Sequence, residues 1–312
     1  MALHREKLIL PFFEMSNPQQ NLKSSPSFSP ENAADALNEQ GFLFQQAIRQ
    51  TILNSTGNQN GNQQQWKILA NEYPVTAADG TETRMDLVLQ HTQAVNVHVC
   101  LECKRPNPKY KTWLFFDRDK PQLFVEDMRM PSEGMQSPIN PALYRQDILS
   151  LNPVTEIPVF NFYLEATAKK NSDKFSNTET IEKALRQLIA GQTGMMDKIR
   201  RFERGGAISF SRSIPVIVTA AQIFEAQFKS DDVALIDGTI DVSSLDLVPH
   251  KFCAVNYHAD NSLSIQREYT NYIKSDVLAD LNRFQIRTVF IVHSLAINDF
   301  LSWAGGNLTK HP

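Results

Sequence analysis

The stretch that decides the fold runs from Arg84 to Lys104 and reads RMDLVLQHTQAVNVHVCLECK. Two runs rich in Leu and Val, Arg84–Gln90 and Val95–Lys104, flank a short polar connection, and their β-branched alternation predicts two strands. Charges are rare in such apolar strands unless they have a task. Yet Asp86 sits inside the first run, and Glu102 and Lys104 inside the second. Glu102 and Lys104 are two apart, so they share a face. Asp86 lies 102 − 86 = 16 residues before Glu102, and a hairpin folded about residue 94 sets the two directly opposite. Directly opposed residues on paired strands sit about 4.5–5.5 Å apart. Leu87, Leu101 and Cys103 then point the other way, toward a core.

This arrangement has a chemical use. Two carboxylates so close repel each other unless a cation or a proton lies between them. Mg²⁺ takes oxygen ligands and needs only one or two carboxylates beside water and phosphate oxygens. A bound metal acidifies its water and polarises a phosphorus centre. A lysine beside it orients the water and offsets growing negative charge. The set suits hydrolysis of a phosphodiester. A bare Glu-x-Lys is more often a solvent-facing ion pair on a half-exposed strand. The apolar surroundings and the order of the elements argue against that origin here.

Outward from the hairpin, residues 15–30 are rich in Ser, Pro, Gln and Asn and read as an arm. Ser29 suits a helix N-cap and Pro30 the first helical position. One helix is predicted from there to about Asn54, with Leu37, Phe44 and Ile48 on one stripe and Gly41 between them. Residues 54–65 form a polar loop, and Trp66–Tyr73 a strand. Residues 105–157, apolar runs set among prolines, read as an insertion of short strands and loops. Further strands are predicted at Val159–Ala166, Ser213–Ala220, Phe252–Tyr257 and Thr288–His293. Helices are predicted at Thr178–Phe202, Ser275–Phe284 and Ala296–Trp303. The expected fold is α/β, a central mixed β-sheet flanked by helices. It divides into an N-terminal arm at 1–29, a core at 30–220 with the insertion at about 105–157, and a C-terminal α/β extension of the same domain at 221–312.

Asp86 followed by Leu101-Glu102-Cys103-Lys104 resembles the PD-(D/E)XK nuclease superfamily, with its restriction-endonuclease-like fold. The resemblance covers about residues 30–220. Met85 stands where the motif has proline, and the segment between Lys104 and the next clear helix is longer than the usual connection. The resemblance implies catalytic roles for Asp86, Glu102 and Lys104. It implies a Mg²⁺ (or Mn²⁺) ion held by Asp86, Glu102 and the backbone carbonyl of Cys103. Family members often add an acid or Gln from the helix before the sheet. Glu39 is the first candidate for that ligand here and Gln45 the second, while Gln187 and Gln192 on the later helix are weaker supporting candidates. The implied function is a metal-dependent nuclease acting on nucleic acid, with DNA the preferred substrate. The alternative is a catalytically inactive nucleic-acid or protein interaction module on the same fold.

Two basic segments support contact with nucleic acid. Residues 104–120 carry six Lys or Arg against two Asp, and Tyr110 and Trp113 interleave with them. Such mixtures suit phosphates and exposed bases, so Arg105, Lys109, Lys111 and Arg118 are candidates. Residues 198–212 carry five Lys or Arg, including Arg200, Arg201 and Arg212, against Glu203. The chain as a whole is not basic: 31 Lys and Arg against 34 Asp and Glu give a net charge of −3. Any phosphate contact must therefore be local.

The three cysteines are too few for a disulfide scaffold in a chain of 312 residues. Cys100 and Cys103, three apart on a strand, point to opposite faces and do not make a zinc pair. No apolar run approaches the roughly 18 residues needed to span a bilayer, and the first residues lack the features of a signal peptide. A cytoplasmic protein without membrane contact is expected, with a homo-oligomer left open. No P-loop, GxSxG or GxGxxG occurs, so nucleotide hydrolysis, serine hydrolysis and dinucleotide binding have no support.

Overall fold

A computed structural model describes residues 29–39, 41–55, 65–77, 80–119, 122–129, 143–150, 157–167, 176–202, 210–259 and 285–309. The chain divides into two compact units, Met1–Gln40 and Gly41–Pro312. The first contains helix α1, Pro30–Glu39. Ser29 caps it as the sequence suggests, its Oγ accepting from the Asn32 N–H at 3.2 Å. The single long helix expected through Asn54 is corrected: α1 ends at Glu39, and α2, Phe42–Ser55, begins beyond Gly41. Gly inside a helix costs about 1 kcal/mol relative to Ala. Leu37 is 50% exposed, so no packing offsets that cost on the α1 side.

The second unit is built on a mixed sheet of thirteen strands among the described residues. In chain order these are β1 Trp66–Thr76, β2 Glu82–His91, β3 Val97–Lys104, β4 Thr112–Arg118, β5 Gln122–Arg129, β6 Leu143–Ser150, β7 Val159–Ala166 and β8 Ser176–Asn177. After helix α3, Glu179–Phe202, come β9 Phe210–Thr219, β10 Gln222–Gln227, β11 Asp246–His250, β12 Phe252–His258 and β13 Ile286–His293. Helix α4, Ile297–Asn307, follows. The main path runs β1-β2-β3-β9-β13-β12-β7-β4-β10-β11, with β5 pairing β6 and β9, and β8 pairing β7.

Alternation along the central strands produces two cores. Val97, Val99, Leu101 and Cys103 of β3 join Leu87 and Leu89 on one face, under Ile48 and Ile52 of α2 and Ile297, Phe300 and Leu301 of α4. Val88, Cys100, Ile217 and Val289 share the other face, under Ile181, Leu185 and Leu188 of α3. Cys100 and Cys103 thus enter opposite cores as free, buried thiols. The described parts of residues 105–157 hold the short strands expected there, and these strands belong to the central sheet. β4 pairs with β7 and β10, β5 pairs with β9, and Trp113 and Phe115 are fully buried. β10 and β11 lack an expectation from sequence, and the predicted helix at 275–284 lies outside the described residues.

Candidate active site

β2 and β3 pair antiparallel, with Leu87 opposite Leu101 and Val88 opposite Cys100. One step further in this register Asp86 faces Glu102, as the spacing requires. There the regular ladder stops. Asp86 Oδ2 accepts the Cys103 N–H at 2.7 Å, so a side chain takes the donor that a neighbouring carbonyl would otherwise take. On its other flank β3 continues parallel to β9, with Glu102 beside Ile217 and Lys104 beside Thr219. Glu102 is only 1% exposed. Its Oε1 meets Lys104 Nζ at 2.6 Å, while Oε2 is buried and has no hydrogen-bond partner. The Lys104 ammonium also donates to Gln187 Oε1 on α3, at 3.1 Å.

Burial is the leading cause of the electrostatics. It lifts the Asp86 carboxyl to about 6, against the Cys103 N–H and the Lys104 charge, which favour the anion; Glu72 adds repulsion. Burial also lifts Glu102 to about 7, helped by the negative charge of Asp86 and opposed by Lys104. Two carboxyls held off ionisation by desolvation and by each other gain from a cation placed between them.

The site has further members. Asn71 pairs with Leu87 and Tyr73 with Met85, so Glu72 lies opposite Asp86 in the β1–β2 ladder. Its φ of 49° is left-handed, an uncommon conformation for a residue with a side chain. Gln45 of α2 bridges the two strands: its Nε2 donates to Glu72 Oε1 at 2.7 Å and to the Asp86 carbonyl at 3.1 Å. Counting the β1–β2 hairpin as β2–β3 is counted would have found Glu72. Of the two weaker candidates on α3, Gln187 meets Lys104, while Gln192 sits apart, buried and donating to the Ser213 carbonyl at 3.0 Å. Glu39 belongs to the other compact unit, and its side chain is outside the described residues.

The basic surface is only partly as expected. Arg105, Lys109, Lys111 and Arg118 are exposed, and Arg118 comes within 4.0 Å of Glu225. The interleaved aromatics are corrected: Tyr110 is buried before β4 begins, and β4 turns Trp113 into the core, so neither offers a face to a base. Arg212 is corrected too. It is buried on β9 and donates to the Leu308 carbonyl at 2.7 Å, tying the strand to the end of α4. Arg200 and Arg201 lie in the last turn of α3, with side chains outside the described residues. Lys198 stands over the Tyr73 ring, 5.0 Å from its centroid.

Among the described residues no three His, Cys, Asp or Glu side chains gather as a ready-made metal site. The donors that do gather are oxygens, and Glu102 Oε2 is buried without a partner. That set fits a hard divalent cation that completes its shell with water. No helix among the described residues is long and apolar enough to cross a membrane. Comparison with family models, curated proteins and solved structures finds no match to this chain.

Proposed function

We propose that the chain is a metal-dependent phosphodiesterase that hydrolyses nucleic acid, on a core of the restriction-endonuclease-like kind. The observation that carries this reading is the end of the β2–β3 hairpin. There Asp86 and a buried Glu102 with one unpartnered oxygen meet Lys104. Asp86, Glu102 and the Cys103 carbonyl would hold a Mg²⁺ or Mn²⁺ ion. Such an ion supplies an acidified water and a Lewis acid for the phosphate.

The chain's own groups do the rest. Lys104 leaves Glu102 free to ligate and turns its ammonium toward the phosphate oxygens, where it offsets the charge that grows at the transition state. Gln187 holds that ammonium from α3, so the lysine keeps its aim when Glu102 is otherwise engaged. Gln45 fixes the Asp86 backbone and keeps Glu72 beside it. Arg105, Lys109 and Lys111, which follow Lys104 directly in sequence and are exposed, give the nucleic acid its nearest cationic surface. DNA is the first substrate to test.

The test is cleavage of plasmid, single-stranded DNA and RNA with Mg²⁺ or Mn²⁺ against an EDTA control. Asp86→Ala and Glu102→Ala should abolish cleavage. Lys104→Ala should lower it by about 10²–10³-fold, the scale of losing one transition-state charge partner. Cleavage that ignores EDTA, or persists in Glu102→Ala, rejects the assignment.

A further inference from the structure

We infer that residues 228–246 form a docking finger whose occupant is the basic end of a second copy of this chain, in a head-to-tail contact. The segment joins β10 to β11, the last two strands of the sheet path. It is held by its own hydrogen bonds. Val233 bridges to Ile240, the Ala234 N–H donates to the Thr239 carbonyl at 2.8 Å, and the Gly238 N–H donates to the Ala234 carbonyl at 2.7 Å. Asp237 Oδ1 accepts from both the N–H and the hydroxyl of Thr239. Gly238, with φ 70°, makes the turn. Nothing in this scaffold requires apolar side chains outside it. Yet Leu235 and Ile236 at the tip are fully exposed, and Val242 is 86% exposed. Single exposed apolar residues are ordinary; an adjacent pair on the tip of a preorganised turn is a contact waiting for a surface.

Charge selects the surface. The finger carries Asp231, Asp232, Asp237, Asp241 and Asp246 against Lys229, or 1 − 5 = −4. That repels nucleic acid and anionic lipid and favours a surface bearing cations. The chain has one. Residues 105–111, RPNPKYK, carry +3 and no acid, with Arg105, Lys109 and Lys111 exposed beside exposed Pro108. This patch leads into β4, and the Gln222 N–H that opens β10 donates to the Lys111 carbonyl at 2.9 Å. The finger leaves from the other end of β10, six residues or about 20 Å away. Opposite charges at opposite ends of one strand pair match across two molecules, and the resulting contact is heterologous. The inference goes beyond the proposed nuclease function and stands without it.

Sedimentation velocity of the full chain tests it, from about 5 to 300 µM at low salt, with folding checked by circular dichroism. The wild type should show a concentration-dependent rise in sedimentation coefficient that high salt reverses. Leu235→Ser/Ile236→Ser and Lys109→Glu/Lys111→Glu should each be monomeric alone. Mixed in equal amounts, they should form a complex no larger than a dimer, because one supplies the patch and the other the finger. A wild type that stays monomeric throughout overturns the inference. So does a mixture that fails to associate, because the finger of one variant would then have no affinity for the intact patch of the other. Undiminished association of Lys109→Glu/Lys111→Glu would place the finger on some other surface and refute it too. Binding of wild type to neutral phosphatidylcholine vesicles, lost in Leu235→Ser/Ile236→Ser, would make the occupant a membrane instead of a second copy.

Discussion

Asp86 and Glu102 are carboxyls lifted by burial to about 6 and about 7, while in the unfolded chain both titrate near about 4. Between those values the folded protein binds more protons than the unfolded one. Stability of the cation-free protein therefore falls as pH rises from about 4 to about 7, then levels off. The proposed divalent cation would bind the ionised pair, so it should stabilise above about pH 7 and do little near pH 5. Thermal melts with and without Mn²⁺ should show a gain of about 2–5 °C at pH 8. Asp86→Asn keeps an acceptor for the Cys103 N–H but removes the repulsion. It should raise the cation-free melting temperature at pH 8 and erase the gain from Mn²⁺. An equal Mn²⁺ gain in Asp86→Asn, or at pH 5, would show that the ion sits elsewhere. Gln187 reaches the chemistry only through Lys104. Gln187→Leu should lower kcat by about 10-fold, as misaimed groups do, with KM and Mn²⁺ affinity held. A loss confined to KM would make Gln187 a binding residue instead.

α3 meets the β1–β2 hairpin without side-chain padding. A Cβ at Gly194 would lie 2.5 Å from the Thr76 carbonyl oxygen, and one at Gly191 would lie 2.8 Å from Met85 Cγ. Backbone cannot yield as a methionine can. Gly194→Ala should destabilise by about 1–3 kcal/mol despite the helix propensity gained, and Gly191→Ala by less. Urea denaturation checks the order, and a Gly194→Ala protein as stable as wild type would refute the close approach. That approach also sets the distance from Gln187 to Lys104, so activity should fall with it. The hairpin itself was legible in the sequence, because a period of two and a short turn leave one register that buries Leu87 and Leu101. Glu72 was legible by the same counting about residue 79, but the strand carrying it was read only to Tyr73. Short strands were expected within 105–157, but the places of β4, β5 and β6 in the central sheet were not legible. Their pairing with β7, β9 and β10 depends on partners distant in the chain, and prolines between them mimic loop. Gln187 and Gln192 were both named from the sequence but could not be told apart, because which polar position of a helix faces a site depends on how the helix is rotated over its sheet.

At the scale of the molecule, the last third of the chain is structural to the site, although none of its described side chains enters it. β13 lies directly beside β9, with Phe290 opposite Val216 and Ile291 opposite Ile217, and β12 separates it from β7. β9 in turn is the strand against which Glu102 and Lys104 are laid. α4 covers the core behind them: Phe300 and Ala304 are fully buried, the Trp66 indole N–H donates to the Leu301 carbonyl at 2.8 Å, and Arg212 holds the Leu308 carbonyl. A chain cut after residue 220 loses both neighbours at once. It exposes the edge of β9 from Val216 to Thr219 and strips α4 from the core that holds Leu87, Leu101 and Cys103, and a sheet edge flanked by bare apolar surface aggregates. The fragment 1–220, with the full Asp86–Glu102–Lys104 set, should be insoluble or lack near-ultraviolet circular dichroism and a cooperative melt. It should also show no Mn²⁺-dependent stabilisation. Adding back residues 221–312 as a separate chain during refolding should restore part of the signal, because the missing strands enter by pairing and not by a covalent constraint. A soluble 1–220 fragment that melts cooperatively and responds to Mn²⁺ would show instead that the site stands on the first two thirds of the chain alone.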